Sequence, residues 1–147
     1  LGRGMWRSVE VAEPLRGKQL EAGLAQLGEE GAIQVFRPGA GSVLLLGAVG
    51  QLQFEVVAHR LEHEYGCKAR IGPSRFQIAR WVTADDPKEL SRFIDANAHR
   101  VAYDAVDAPT LLVEYAPELR AIEGNWPKIR FHTMREHAGL VFHKATD

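Results

Sequence analysis

Gly47-Ala-Val-Gly-Gln-Leu-Gln-Phe-Glu-Val-Val-Ala-His-Arg-Leu-Glu-His-Glu-Tyr-Gly66 reads as the end of a strand, a tight turn, an amphipathic helix and a glycine stop. At 100° per residue, Phe54, Val57, Ala58, Leu61 and Tyr65 share one face, the stripe expected to pack on a sheet. Leu52, Val56, His59 and His63 form a second stripe on nearly the opposite side. A helix lying on a solvated sheet needs only one stripe. The second is therefore expected to touch either another module of this chain or a separate partner. Tandem modules must pack on something, which favours the internal contact.

The sequence before this helix supplies the rest of one unit. Residues 5–11 alternate and become β-branched, which suits a strand. Pro14 suits a first helical turn, Leu20, Leu24 and Leu27 make a helical stripe, and Gly31 stands where a C′ glycine belongs. Residues 33–36 form a short strand closed by the turn cluster Arg37-Pro38-Gly39-Ala40-Gly41. Residues 43–49 are a nearly continuous apolar run, as in a buried strand, and residues 68–71 follow the helix as another. The order βαββαβ is the split-βαβ or ferredoxin-like unit.

The second half repeats that order. Strand-like residues 76–83 precede Asp86-Pro87-Lys88-Glu89, which offers an N-cap, a first-position proline and a third-position glutamate. Leu90, Phe93 and Ile94 face that helix's core. Strands at 101–105 and 110–115 flank a turn at Asp107–Pro109; a short helix at 117–123 and a strand at 129–133 complete the pattern. The expected fold class is α+β: a ferredoxin-like module at 5–72, a second α+β module at 73–137 and a tail at 138–147, with antiparallel sheets and helices on one face. A single sheet extended by the second-half strands is the alternative.

Chemistry-bearing patterns are sparse. His59 and His63 have the i, i+4 spacing of metal ligands, but no His-Glu-x-x-His sequence or third ligand accompanies them, so no metal is expected. Gly47-Ala-Val-Gly50 lacks the spacing of a P-loop or a dinucleotide fingerprint and reads as a packing turn. Asp85-Asp86 reads as turn and cap, the serines have no nucleophile-elbow context, and Cys67 reads as a small semi-buried residue. No catalytic residue is assigned. The three tryptophans, Trp6, Trp81 and Trp126, read as core or module-interface residues.

Composition bounds the partners. The 147 residues carry a net charge of −1 and 25% charged residues, so bulk attraction to nucleic acid is not expected and no DNA partner is assigned. One cysteine cannot build a disulfide framework, which fits a reducing compartment. No apolar run approaches the ~20 residues that span a bilayer. Local charge is more pointed. From Lys68 to Arg80 the basic residues Lys68, Arg70, Arg75 and Arg80 meet no acid, and Lys128, Arg130, His132, Arg135 and His137 cluster near the end. Strand alternation could aim several at one face, to hold RNA phosphates or an acidic protein surface. The candidate contacts are Arg70, Arg75, Arg80, Lys128, Arg130, Arg135, His59 and His63.

Pro14-Leu-Arg-x-Lys-Gln-Leu20, Glu29-Glu-Gly-Ala-Ile-Gln-Val-Phe36, Gly47–Gly66, Ala79-Arg-Trp-Val82 and Phe131-His-Thr-Met-Arg-Glu-His137 together resemble the C-terminal domain of the release factor 3 family. These are translational GTPases related to elongation factor G. The segments run in the family's order and cover most of the chain. Departures lie at 37–42, 66–74 and after 137. The resemblance implies a fragment of a cytoplasmic, ribosome-dependent GTPase that drives codon-reading release factors off the ribosome after peptide release. This region would be a monomeric docking arm for rRNA and a small-subunit protein. It implies GTP and magnesium in a separate G domain. The sequence has no Gly-x-x-x-x-Gly-Lys-Ser/Thr and no Asn-Lys-x-Asp, so this piece is expected to be no enzyme and to hold no cofactor. The equivalent domain of an elongation or ribosome-protection factor is the near alternative; a small ferredoxin-like ligand-binding module is the distant one.

Overall fold

A computed structural model describes residues 4–39 and 43–133. The first half runs β1 (Met5–Val11), a 3-10 turn (Pro14–Arg16), α1 (Gly17–Glu29), β2 (Gln34–Pro38), β3 (Leu44–Ala48), α2 (Gln51–Tyr65) and β4 (Ala69–Pro73). The second runs β5 (Ile78–Ala84), α3 (Pro87–Ala96), a 3-10 turn (Ala98–Arg100), β6 (Val101–Tyr103), β7 (Pro109–Val113), α4 (Ala116–Asn125) and β8 (Ile129–His132). The tail at 138–147, Arg135 and His137 lie outside the described residues.

All strands join one eight-stranded sheet in the order β4-β1-β3-β2-β6-β7-β5-β8, with every pairing antiparallel. The first four strands in that order make a ferredoxin-like unit. The last four show the same arrangement mirrored along the sheet. The halves meet where Arg37 pairs with Tyr103 and Pro38 with Ala102.

Strand alternation divides the apolar residues into three layers. Val9 on β1 and Leu46 on β3 face α1 and α2, meeting Leu20, Leu24, Leu27, Phe54, Val57 and Leu61. Val82 on β5, Leu111 and Val113 on β7 and Ile129 on β8 face α3 and α4, meeting Phe93, Leu119 and Ile122. Each half thus carries its helices on one face. The opposite faces supply the third layer: Trp6, Phe36 and Leu45 from the first half, Ala79, Trp81, Ala102 and Leu112 from the second. Phe36 lies 5.1 Å from Trp6 and 5.9 Å from Trp81, centroid to centroid. In a flat sheet β2 and β5, three steps apart, would be separated by about 14 Å. The sheet therefore folds over at the β2–β6 junction, and the helix-free faces pack on each other between two outer layers of helix.

This arrangement corrects one expectation. The second half does not cover the outer stripe of α2. It packs on the other face of the first sheet, so Leu52 stays 69% exposed and Val56 44%. The inner stripe behaves as expected, with Phe54, Val57 and Leu61 buried. Gly66, at φ 63°, closes α2 in the left-handed conformation that glycine adopts without a Cβ clash. Gly47 is a packing glycine: a Cβ there would stand 2.8 Å from the Trp6 ring. Trp6 and Trp81 are buried in the central layer, while Trp126 is partly buried and meets Phe93 edge-on at 5.2 Å.

Candidate functional site

The basic residues singled out in sequence fall on separate parts of the molecule. Arg70 lies on β4, one end of the strand order, and Arg130 on β8, the other end. Arg70 alternates with Ala69 and Ile71, which face the helices, and so points to the helix-free side. Arg80 shares its side of β5 with Ile78 and Val82, the helix side of the second half. Arg70 and Arg80 therefore do not share a face.

Neighbouring strands also bring carboxylates that a local reading of charge misses. Arg70 stands directly across from Glu10 in the β1–β4 register, 3.7 Å away. Arg75, after β4, reaches Glu114 at 3.4 Å and covers the Phe76 ring at 4.4 Å. Arg130 is bound to Asp85. The Arg80 guanidinium donates to the carbonyl of Ala79 at 2.9 Å, and Lys128 is exposed just before β8. Exposed ion pairs of this kind contribute little to stability and can be exchanged for a partner's phosphate or carboxylate at small cost.

His59 and His63 stack on the exposed side of α2 with centroids 4.1 Å apart. Among the described residues no cluster of three or more His, Cys, Asp or Glu could hold a metal. Beside them, Arg60 grips Glu64 and Glu30, each at 2.7 Å. Hydrogen bonds to Glu64 and Glu30 hold the Arg60 guanidinium above its ordinary range, and the same contacts hold both carboxyls below theirs. The start of α2 offers no open anion site at Val49 and Gly50, because Gln53 Oε1 accepts from both N–H groups, at 2.9 and 3.2 Å. Cys67 is buried, and burial pushes its thiol up.

Sequence reasoning missed a cleft where the two halves meet. A cavity of about 240 Å³ has Leu45, Phe76 and Leu112 in its wall, with Arg75, His99 and Arg100 among its polar residues. Arg100 binds Glu118 at 2.8 Å. Burial pushes the Glu118 carboxyl up, but hydrogen bonds from the Glu114 N–H and the Arg100 guanidinium outweigh it, and the net shift is downward. Both cleft arginines thus carry carboxylate partners, Arg75 in an exposed pair and Arg100 in a more sheltered one. Thr83 Oγ1 lies 2.8 Å from His132 Nε2 across the paired strands β5 and β8, a contact between neighbouring strands and not one of the residues that line the cleft. What the molecule offers is a braced body with charged and apolar surfaces.

Residues 3–123 match the model of the family described as class II release factor RF3, C-terminal domain. The chain belongs to this family. It is 68% identical over 142 residues to peptide chain release factor 3 of Nitrosomonas eutropha, covering 97% of this chain and 26% of that protein. With peptide chain release factor 3 of Bordetella pertussis the identity is 60% over 139 residues, covering 94% of this chain and 26% of the relative. The chain therefore spans about a quarter of the length of the curated relatives it matches. The matched residues include β1 to β7, most of α4 and the whole central aromatic layer, while β8 lies beyond them.

Proposed function

We propose that this release factor 3 domain is the ribosome-docking arm of a translation-termination GTPase that promotes departure of codon-reading release factors after peptide release. The observation that carries this reading is the family match over 3–123. In this proposal GTP and magnesium bind a separate G domain, the present piece is not the enzyme, and the whole works in the cytoplasm as a monomer. The modules at 5–72 and 73–137 act as one stiff body. The shared aromatic layer supports that stiffness, because a packed interior transmits displacement with little deformation. A stiff arm can favour one ribosome conformation over another only through contacts that differ between the two. Arg70, Arg75, Arg80, Lys128, Arg130 and Arg135 are the proposed polar contacts to rRNA and a small-subunit protein.

The test is ribosome binding by the full-length protein. Deleting residues 14–137 should abolish binding and ribosome-stimulated GTP hydrolysis; retention of both would sink the docking reading. The double variant Arg70→Glu/Arg75→Glu should weaken binding about tenfold or more at low salt and flatten its salt dependence. Arg80→Glu is better measured alone, because its stem borders the helix-side core of the second half. Unchanged low-salt affinity in both variants would remove these arginines from the contact.

A further inference from the structure

The outer face of α2 is an apolar strip that nothing in this chain's described residues covers. Val49, in the turn before the helix, is 62% exposed, and Leu52 and Val56 on α2 are 69% and 44% exposed, while Phe54, Val57 and Leu61 on its inner side are buried. Glu55 and Glu62 flank the strip on one side, which disfavours RNA as its cover and favours protein. The chain's own path indicates which protein. Met5 pairs with Ala48 in the β1–β3 register, so Gly4 enters alongside Val49. Arg7 ties the start of β1 to the first turn of α2, donating to Gln51 Oε1 at 3.2 Å and lying 5.3 Å over the Phe54 ring. Gly4, where the described chain begins, thus stands beside Val49 at one end of the exposed strip, so the preceding domain is the neighbour nearest to hand. The relatives are about four times as long as this chain, and the matched domain is their C-terminal one.

We propose that the polypeptide preceding Gly4 in the full-length protein docks on the Val49–Leu52–Val56 strip, so that the outer face of α2 is an internal interface between this domain and the one before it. This rests on the reading of the chain as the C-terminal part of a longer release factor. Burying three such side chains would oppose free swivelling about the entry point. A docked arm moves with the preceding domain; an undocked one does not. The strip is thus where a change in that domain would be passed to this one.

The experiment uses the full-length protein without ribosomes. Leu52→Cys and Val56→Cys are compared with Lys88→Cys and Arg120→Cys, which are exposed on α3 and α4. Maleimide labelling is followed peptide by peptide in a mass spectrometer. Labelling at 52 and 56 is expected to be at least tenfold slower than at 88 and 120, independent of protein concentration. A photo-reactive maleimide on Val49→Cys is expected to cross-link within the same chain to a peptide preceding Gly4. Equal labelling rates overturn the proposal. So does protection that appears only at high protein concentration, which would indicate a second copy, or only with ribosomes present, which would indicate an external partner. Ribosome binding by the same preparations is read separately. Its absence beside an intact intrachain cross-link would fail the docking-arm function and leave this interface standing.

Discussion

Phe36→Ala is expected to destabilise this chain by about 3–5 kcal/mol, the range for removing a buried aromatic ring from a packed core. Phe36 is 1% exposed and stands on β2, the strand through which the halves join. Its ring touches Trp6 of the first half and Trp81 of the second. Loss of the ring removes two aromatic contacts, each worth about 0.5–1.5 kcal/mol beyond burial. It also leaves a cavity where the sheet folds over. The tryptophans cannot close that cavity easily, because Trp6 is already wedged over Gly47 and Trp81 is hydrogen-bonded to Asp104. The expected change is therefore also one of cooperativity. Each half keeps its own helix-facing core, so urea unfolding of the variant should broaden or split, with different midpoints by tryptophan fluorescence and by circular dichroism. Coincident transitions with a loss below about 1 kcal/mol would show that the central layer does not couple the halves.

The sequence was most legible where the information is local. The inner stripe of α2 follows from period alone, and Gly66 marks its end because the left-handed cap needs no distant partner. Asp86 caps α3 by accepting from the Lys88 N–H at 2.9 Å, as its position before Pro87 suggests. The α+β class and the repeated strand–helix order follow from the same kind of signal. The folding-over of the sheet does not, since it depends on pairing between residues far apart in sequence, at Arg37–Tyr103 and Pro38–Ala102. One clue was present. Leu44, Leu45 and Leu46 are consecutive apolar residues on one strand, so both faces of β3 must be covered. Followed through, it places the second half against the helix-free face and leaves the outer stripe of α2 without an internal partner. The charge reading lacked the same long-range information. Glu10 is far from Arg70 in sequence and directly opposite it across the β1–β4 ladder. A basic run without acids is therefore not a basic surface until the neighbouring strands are known.

Asp104→Ala should cost about 2–5 kcal/mol, because it strands hydrogen-bond donors that cannot return to water. Asp104 is 6% exposed. Its Oδ2 accepts from Trp81 Nε1 at 3.0 Å, and its Oδ1 accepts from the N–H groups of Val106 and Ala108, each at 2.9 Å. One carboxylate thus fixes a central-layer tryptophan and shapes the loop that brings Ala108 and Val106 against the same layer. Asp107 within that loop has φ 60°, an uncommon value for a residue with a Cβ, and its N–H donates to the Asp104 carbonyl at 3.0 Å. The Arg37–Asp107 ion pair at 2.7 Å and the Asp104 N–H, which donates to the Ala108 carbonyl at 3.2 Å, brace the same turn. Asp104→Asn separates the two roles. Its amide oxygen can still accept from the loop, but its NH₂ would then face the Trp81 N–H, donor against donor. Asn should therefore recover part of the loss, and Trp81→Phe should be milder on the Asn background than on wild type, giving a measurable coupling in a double-mutant cycle. Additive losses from Asp104→Asn and Trp81→Phe in urea unfolding would show that the indole contact is not what the carboxylate is held for. A cost for Asp104→Ala below about 1 kcal/mol would mean that water reaches the stranded donors, and the central layer would then be less sealed than its burial indicates.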